Sequence, residues 1–254
     1  MLVLPSLFTT GNLLSGFYAL LLSLQKSYSH AAYAILAAAL FDLLDGRVAR
    51  MTKSQSDFGV EYDSLADIVS FGVAPAFLSY CWALQSLGRW GIAAAFFFVA
   101  CAGLRLARFN VLAGQFPKSY FIGLPTPAAA NLVAAAILAY EELHLPFPKG
   151  LFFVLLFALG FLMVSSIRYR SFKDFDIRHR RSFFELIVML ALIVIATVHP
   201  EVTLAFLFAY YVGWGPTREL LRRLRSGGLT RFQPVLPASA SSQDMLPLPG
   251  GEQS

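Results

Sequence analysis

The chain has 254 residues, of which 57% are hydrophobic and only 14% charged, with a net charge of +5 and a mean hydropathy of +0.63. About a quarter of the residues in a soluble domain are charged, so this composition excludes an ordinary soluble globular protein and indicates a chain that crosses a membrane several times. The two cysteines, Cys81 and Cys101, lie inside apolar runs and are too few for a disulfide framework or a thiolate metal site; they read as small packing residues.

Leu2 to Phe8 is a short apolar stretch interrupted by Pro5, suited to lying in the membrane interface. Thr9-Thr10-Gly11-Asn12 follows, immediately before the first long apolar run. Residues of this type at that place ordinarily cap a helix, and the functional alternative is that Thr10 and Asn12 hold a substrate phosphate or nucleotide. Met1 to Gln25 contains no Lys or Arg and no evident small-residue cleavage site, so no removable signal peptide is read there. Apolar runs of helical length follow at 11–25, 30–50, 63–87, 90–111, 126–142, 150–167, 182–198 and 200–216. Each is near the roughly 20 residues that span the hydrocarbon layer, which predicts an all-α polytopic membrane bundle of about eight transmembrane helices. Pro125-Thr126-Pro127 is expected to shape the start of the fifth span or to form a rigid turn beside a pocket. The membrane domain is assigned to 1–225. From 226 to 254 Gly, Pro, Ser and Gln dominate, the composition of a disordered cytoplasmic tail.

The placement of basic residues orients these spans. Of the 20 Lys and Arg, all but Lys26, Arg89 and Lys149 lie at or beyond the C-terminal end of the second, fourth, sixth or eighth apolar run. Lys and Arg near span ends are retained on the cytoplasmic side, so both termini are expected inside. Most of the net positive charge is then topology and attraction to anionic headgroups, and no nucleic-acid partner is expected.

The unusual feature is acidic. Six of the fifteen acids, Asp42, Asp45, Asp57, Glu61, Asp63 and Asp67, fall within one short region bounded by apolar runs. A carboxylate at membrane depth is unfavourable by roughly 2.5–3.5 kcal/mol on insertion scales, so such a cluster needs a compensating partner. Asp42 and Asp45 are three residues apart and Asp63 and Asp67 four apart, which places each pair on one helix face. Two adjacent antiparallel helices could aim all four into one pocket. Gly46, Ala49, Gly59 and Ala66 lie among them and permit close approach of helices and ligand. Hard divalent cations prefer such oxygen ligands. Ion pairs with Arg47 or Arg50, or a cation pathway of a transporter, are the competing readings.

The string Asp42-x2-Asp45-Gly46-x2-Ala49-Arg50-x8-Gly59-x3-Asp63-x3-Asp67 resembles the signature of the CDP-alcohol phosphatidyltransferases at each defining position. Further segments are similar to one subgroup, the type II phosphatidylserine synthases: residues 41–50, 63–76, Arg105-Leu-Ala-Arg108-Phe-Asn110, Gly123-Leu-Pro-Thr-Pro-Ala-Ala-Ala130 and Arg168-Tyr-Arg-Ser-Phe-Lys173. The likeness covers about residues 5–215. It implies exchange of the CMP of CDP-diacylglycerol for the hydroxyl of L-serine in the bacterial cytoplasmic membrane, with the site open to the cytoplasm. Carried over by position, it implies that Asp42, Asp45, Asp63 and Asp67 hold two divalent ions, Mg2+ or Mn2+, and that Asp67 is also the general base. Gly46, Arg50, Ser56, Gly59, Thr10 and Asn12 would contact the CDP-lipid. Arg105, Arg108, Asn110, Arg168, Arg170 and Lys173 would bind serine carboxylate or lipid phosphate, although span-end Arg and Lys also commonly snorkel to headgroups. A homodimer is the usual assembly of such proteins. Other alcohol acceptors, glycerol 3-phosphate or an inositol compound, leave the acidic signature unchanged and are set apart only by the segments outside it.

Overall fold

The computed structural model describes residues 3–52, 56–112, 120–143, 149–170 and 198–225. Among them are seven helices: α1 (Val3–Leu24), α2 (Tyr28–Thr52), α3 (Asp57–Asp67, continuing without a break to Leu87), α4 (Arg89–Leu112), α5 (Thr126–Leu143), α6 (Lys149–Val164) and α7 (Pro200–Arg225). They coincide with seven of the eight apolar runs. Length and composition qualify three as membrane spans, Ser6–Leu24, Phe58–Leu87 and Arg89–Val111, and Gly150–Val164 is apolar but shorter. α2 falls below that standard because Asp42, Asp45 and Arg47 interrupt its most apolar stretch, and α7 because Glu201 and its Pro, Gly, Thr, Tyr and Trp residues dilute its apolar sequence. The run at 182–198, apart from Val198, and the tail at 226–254 lie outside the described residues.

The opening of the chain differs from the expected interfacial stretch and cap. α1 runs unbroken from Val3, so Pro5 sits in its first turn, where a missing N–H is harmless. Thr9 and Asn12 are mid-helix residues and not caps. α1 ends in a left-handed residue, Lys26 at φ 60°, with Ser27 N–H bonded to Leu22 O at 3.0 Å, a closure usually given to glycine. α2 then returns alongside α1, and the pair forms the most extensive helix contact of the bundle.

The long rod α3 contains two wider turns, Ile68–Val73 and Tyr80–Leu84. Pro75 explains the first, since its ring and missing N–H conflict with an ordinary α-turn; the chain widens ahead of it, and Ala74 N–H bonds Val69 O five residues back. The core between rods is built from small and aromatic residues, including Ala19, Ala31, Ile35, Phe71, Ala74, Phe98, Ala129 and Ala134. Gly16 is required by close approach: a Cβ there would stand 2.6 Å from Ser70 Cα.

One element is not helical. Tyr120–Ile122 and Arg168–Arg170 form an antiparallel ribbon, β1 and β2, pairing Tyr120 with Arg170 and Ile122 with Arg168. Gly123, at φ 79°, donates to Ile167 O at 2.9 Å, and Leu124 N–H reaches Leu162 O at 3.0 Å. The ribbon thus ties the start of α5 to the end of α6.

Candidate active site

Each inner helix carries a buried stripe that becomes polar toward the same end of the bundle. In α2 the stripe is Ala31, Ile35 and Ala38, and its continuation at helical spacing is Asp42 and Asp45. In α1 it is Thr9, Asn12, Gly16, Ala19 and Ser23. α3 contributes Asp63, Ala66, Asp67 and Ser70, and α4 runs Ala94, Phe98, Cys101, Ala102 and Arg105. The helices alternate in direction, so the polar ends meet.

There Asp42, Asp63 and Asp67 place one carboxylate oxygen each within 4.8 Å of one another. Asp67 is buried, and Asp42 and Asp63 are half-buried. Asp45, also buried, stands beside this group, close enough to Asp63 for the two carboxyls to interact; its Oδ2 accepts from Thr9 Oγ1 at 3.0 Å. Ionised carboxylates only accept, so neighbouring ones repel unless a proton or a cation comes between them. Asp67 Oδ1 accepts from Asn12 Nδ2 at 3.1 Å.

The donor set fits a hard divalent cation. Mg2+ and Ca2+ take oxygen ligands at about 2.0–2.6 Å, so three oxygens this close can share one ion. Asp63 Oδ1 is buried with no partner, as is Asn12 Oδ1. Leaving such an acceptor unmet is unfavourable by about 1–3 kcal/mol, which a bound ligand would relieve.

Arg105 approaches the acids from α4. It is 8% exposed, its Nη1 donates to Thr126 Oγ1 at 3.0 Å, and its guanidinium lies 5.6 Å from the centre of the Phe109 ring. The carboxylates of Asp67 and Asp42 and the hydroxyl of Tyr211 are within its electrostatic reach, and its buried Nε has no partner. Thr126, inside the Pro-Thr-Pro turn, therefore serves both the start of α5 and the setting of Arg105.

Other residues singled out in the sequence have more local engagements. Arg108 Nη1 donates to Val164 O at 3.3 Å, stitching α4 to the end of α6. Asn110 Nδ2 donates to Ser64 Oγ at 2.9 Å, one residue from Asp63. Ser56 is the N-cap of α3, accepting from Gly59 N–H at 3.1 Å. A Cβ at Gly59 would stand 3.2 Å from Ser56 Oγ. Thr10 is exposed, donates to Ser6 O at 2.7 Å and is bonded to the Tyr62 hydroxyl at 3.0 Å. Gly46 lies half-buried one residue after Asp45, and Arg47 is exposed. The side chains of Arg50, Arg168 and Arg170, and Lys173 altogether, lie outside the described residues.

Sequence reasoning missed Thr9, Ser70 and Tyr211. The signal for Thr9 was present as the 9-12-16-19-23 helical stripe, hidden by reading Thr9 to Asn12 as a cap. Ser70 follows Asp67 by three residues and donates to Asn12 O at 2.9 Å. Tyr211 sits far along the chain in an otherwise unremarkable aromatic run.

The family model for CDP-alcohol phosphatidyltransferase matches residues 2–167, which contain all four aspartates, Arg105 and Thr126. The chain belongs to the CDP-alcohol phosphatidyltransferase family. It is therefore a membrane transferase of phospholipid biosynthesis, and its acidic cluster is the feature of the fold suited to a divalent metal. Among relatives, the CDP-diacylglycerol–serine O-phosphatidyltransferase of Helicobacter pylori is 36% identical over 220 residues, covering 85% of this chain and 90% of the relative. The enzyme of the same name from Bacillus subtilis is 35% identical over 170 residues, 67% of this chain and 91% of that protein. The archaetidylserine synthase of Methanothermobacter thermautotrophicus is 41% identical over 172 residues, 66% of this chain and 70% of that protein.

Proposed function

We propose that the protein transfers the phosphatidyl group of CDP-diacylglycerol to the hydroxyl of L-serine, giving phosphatidylserine and CMP. The observation that carries this reading is the convergence of Asp42, Asp63 and Asp67 within 4.8 Å in a family that handles CDP-alcohols. Serine as acceptor is supported by the relatives' names, which share serine while differing in lipid.

In this reading Asp42, Asp45, Asp63 and Asp67 would hold two divalent ions, Mg2+ or Mn2+. Bound divalent ions supply neutralisation of the diphosphate and stabilisation of the departing phosphate oxygen. Asp67 removes the proton of the serine hydroxyl as its oxygen bonds to the phosphatidyl phosphorus and the bond to CMP breaks; proton transfer by a positioned group contributes typically 10²–10⁴-fold. Asn12 orients the Asp67 carboxylate so that one oxygen remains for that task. Gly46 and Gly59 let backbone approach the nucleotide, with Arg50, Ser56, Thr10 and Asn12 as further candidate contacts of the CDP-lipid. Arg105, backed by Thr126, is the group best placed to receive the serine carboxylate. Arg108, Asn110, Arg168, Arg170 and Lys173 are further candidates to bind the serine carboxylate or a lipid phosphate.

The reading carries a location and an organisation. A membrane domain over 1–225 sits in the bacterial cytoplasmic membrane with the site facing the cytoplasm, followed by the tail 226–254. Exposed apolar faces such as Phe206, Leu207 and Tyr210 suit lipid or a second copy in a homodimer. The test is CMP release by purified protein given CDP-diacylglycerol with serine, glycerol 3-phosphate or inositol separately, with and without Mn2+. Serine-dependent, metal-dependent release is expected. Release with only a non-serine acceptor overturns the acceptor, and none with any acceptor overturns the reaction.

A further inference from the structure

We propose that Thr9 and Asn12 are positioning residues of the acidic site, and that one turn of α1 orients Asp45 and Asp67 to receive the cation. This rests on the metal-dependent reading above. Residues three apart on a helix share one face, so the two side chains project together toward α2 and α3. Thr9 Oγ1 meets Asp45 Oδ2 at 3.0 Å on α2, and Asn12 Nδ2 meets Asp67 Oδ1 at 3.1 Å on α3. Both side chains are buried, Thr9 at 5% and Asn12 at 0% exposure, as are both carboxylates they hold.

Two features set the register of this turn. Ser70 Oγ donates to Asn12 O at 2.9 Å, so α3 is bonded to α1 through both the side chain and the backbone of Asn12. Gly16, one turn further, has no side chain to hold the helices apart. The neighbouring Thr10 takes the usual local course, donating to Ser6 O, whereas Thr9 reaches across to another helix. Hydrogen bonds from outside the ligand set fix carboxylate orientation and basicity, and their removal typically weakens metal affinity or activity by 10–100-fold. The competing explanation is that these contacts merely glue helices together, as polar pairs in membrane proteins often do.

Direct metal binding separates the two. The full chain, purified into nanodiscs without substrate, would be titrated with Mn2+, free Mn2+ being read by electron paramagnetic resonance, and the thermal unfolding midpoint recorded alongside. Thr9→Val, nearly isosteric, and Asn12→Leu are each expected to raise the Mn2+ dissociation constant by about 10–100-fold. Thr9→Ser, which keeps the hydroxyl, is expected to stay within about threefold of the parent, well short of that loss. Unchanged Mn2+ affinity in Thr9→Val and Asn12→Leu, with or without a lowered midpoint, overturns the proposal in favour of helix glue. Loss of affinity in Thr9→Ser equal to that in Thr9→Val overturns it too, because the hydroxyl is then not the effective group. If the parent chain itself binds no Mn2+, it is the metal reading of the site that fails.

Discussion

Asp67→Asn separates the chemistry of the site from its architecture. Asp67 accepts from Asn12 through Oδ1, so the substituted amide keeps its carbonyl toward Asn12 Nδ2 and turns its NH2 toward Asp42 and Asp63. That arrangement satisfies the amide and converts a repulsive contact into a donating one. Two unit charges 4.8 Å apart repel by about 3.5 kcal/mol at an effective dielectric of about 20, so the metal-free variant loses repulsion of that order from each ionised neighbour. The metal-free variant is therefore expected to unfold at a higher temperature than the metal-free parent. Turnover moves the other way. If Asp67 takes the serine proton and ligates the metal, as proposed, its replacement is expected to lower kcat at least 10³-fold, about 4 kcal/mol in activation free energy. The assay is CMP release at saturating Mn2+, beside thermal unfolding in chelator. Turnover within about tenfold of the parent would refute the base assignment, since even modest proton-transfer catalysis exceeds that. A variant destabilised in chelator would refute the charge argument independently.

Chelation of the parent is expected to abolish CMP release and lower the unfolding midpoint, with Mn2+ restoring both; an ion at 100 times its dissociation constant stabilises the folded state by about 2.7 kcal/mol. Arg105→Gln is expected to raise the KM for serine about 10–150-fold, the equivalent of losing a hydrogen bond to a charged group, while the KM for CDP-diacylglycerol stays within a factor of two; initial rates with each substrate varied separately check this. Gly16→Ala forces α1 away from Ser70 and is expected to destabilise the protein by about 1–3 kcal/mol and weaken Mn2+ binding, read by thermal unfolding and metal titration.

Much of the site was legible because its chemistry is local in sequence. Asp42 and Asp45 share one helix, Asp63 and Asp67 another, and the spacing that puts each pair on one face needs no knowledge of the fold. The apolar runs gave the helices for the same reason, since period and length are properties of a single segment. What remained hidden depends on contacts between segments. Thr9 resembles a cap until α1 is seen to begin at Val3, and nothing within 3–24 says that Asp45 is its partner. Thr126 joins Arg105 across 21 residues of sequence, and Tyr211 comes within its electrostatic reach from a helix much further on. The ribbon pairing Tyr120–Ile122 with Arg168–Arg170 was missed because three-residue strands carry no periodic signal.

The buried stripes explain why these distant residues meet at one end. A stripe of Ala, Gly and Ser lets helices approach closely, which removes the lipid or water that would otherwise solvate a polar side chain on the same face. Thr9, Asn12, Asp42, Asp45, Asp67 and Arg105 are continuations of such stripes, and Thr9 meets Asp45 and Asn12 meets Asp67 within the group. Among the described residues, four carboxylates stand with the Arg105 guanidinium nearby, an excess of negative charge. A diphosphate donor is itself anionic and would be repelled by that excess. On the proposed reading, the same small residues that make the bundle close-packed make its acidic end call for a cation, and the donor's affinity is expected to depend on that cation's presence.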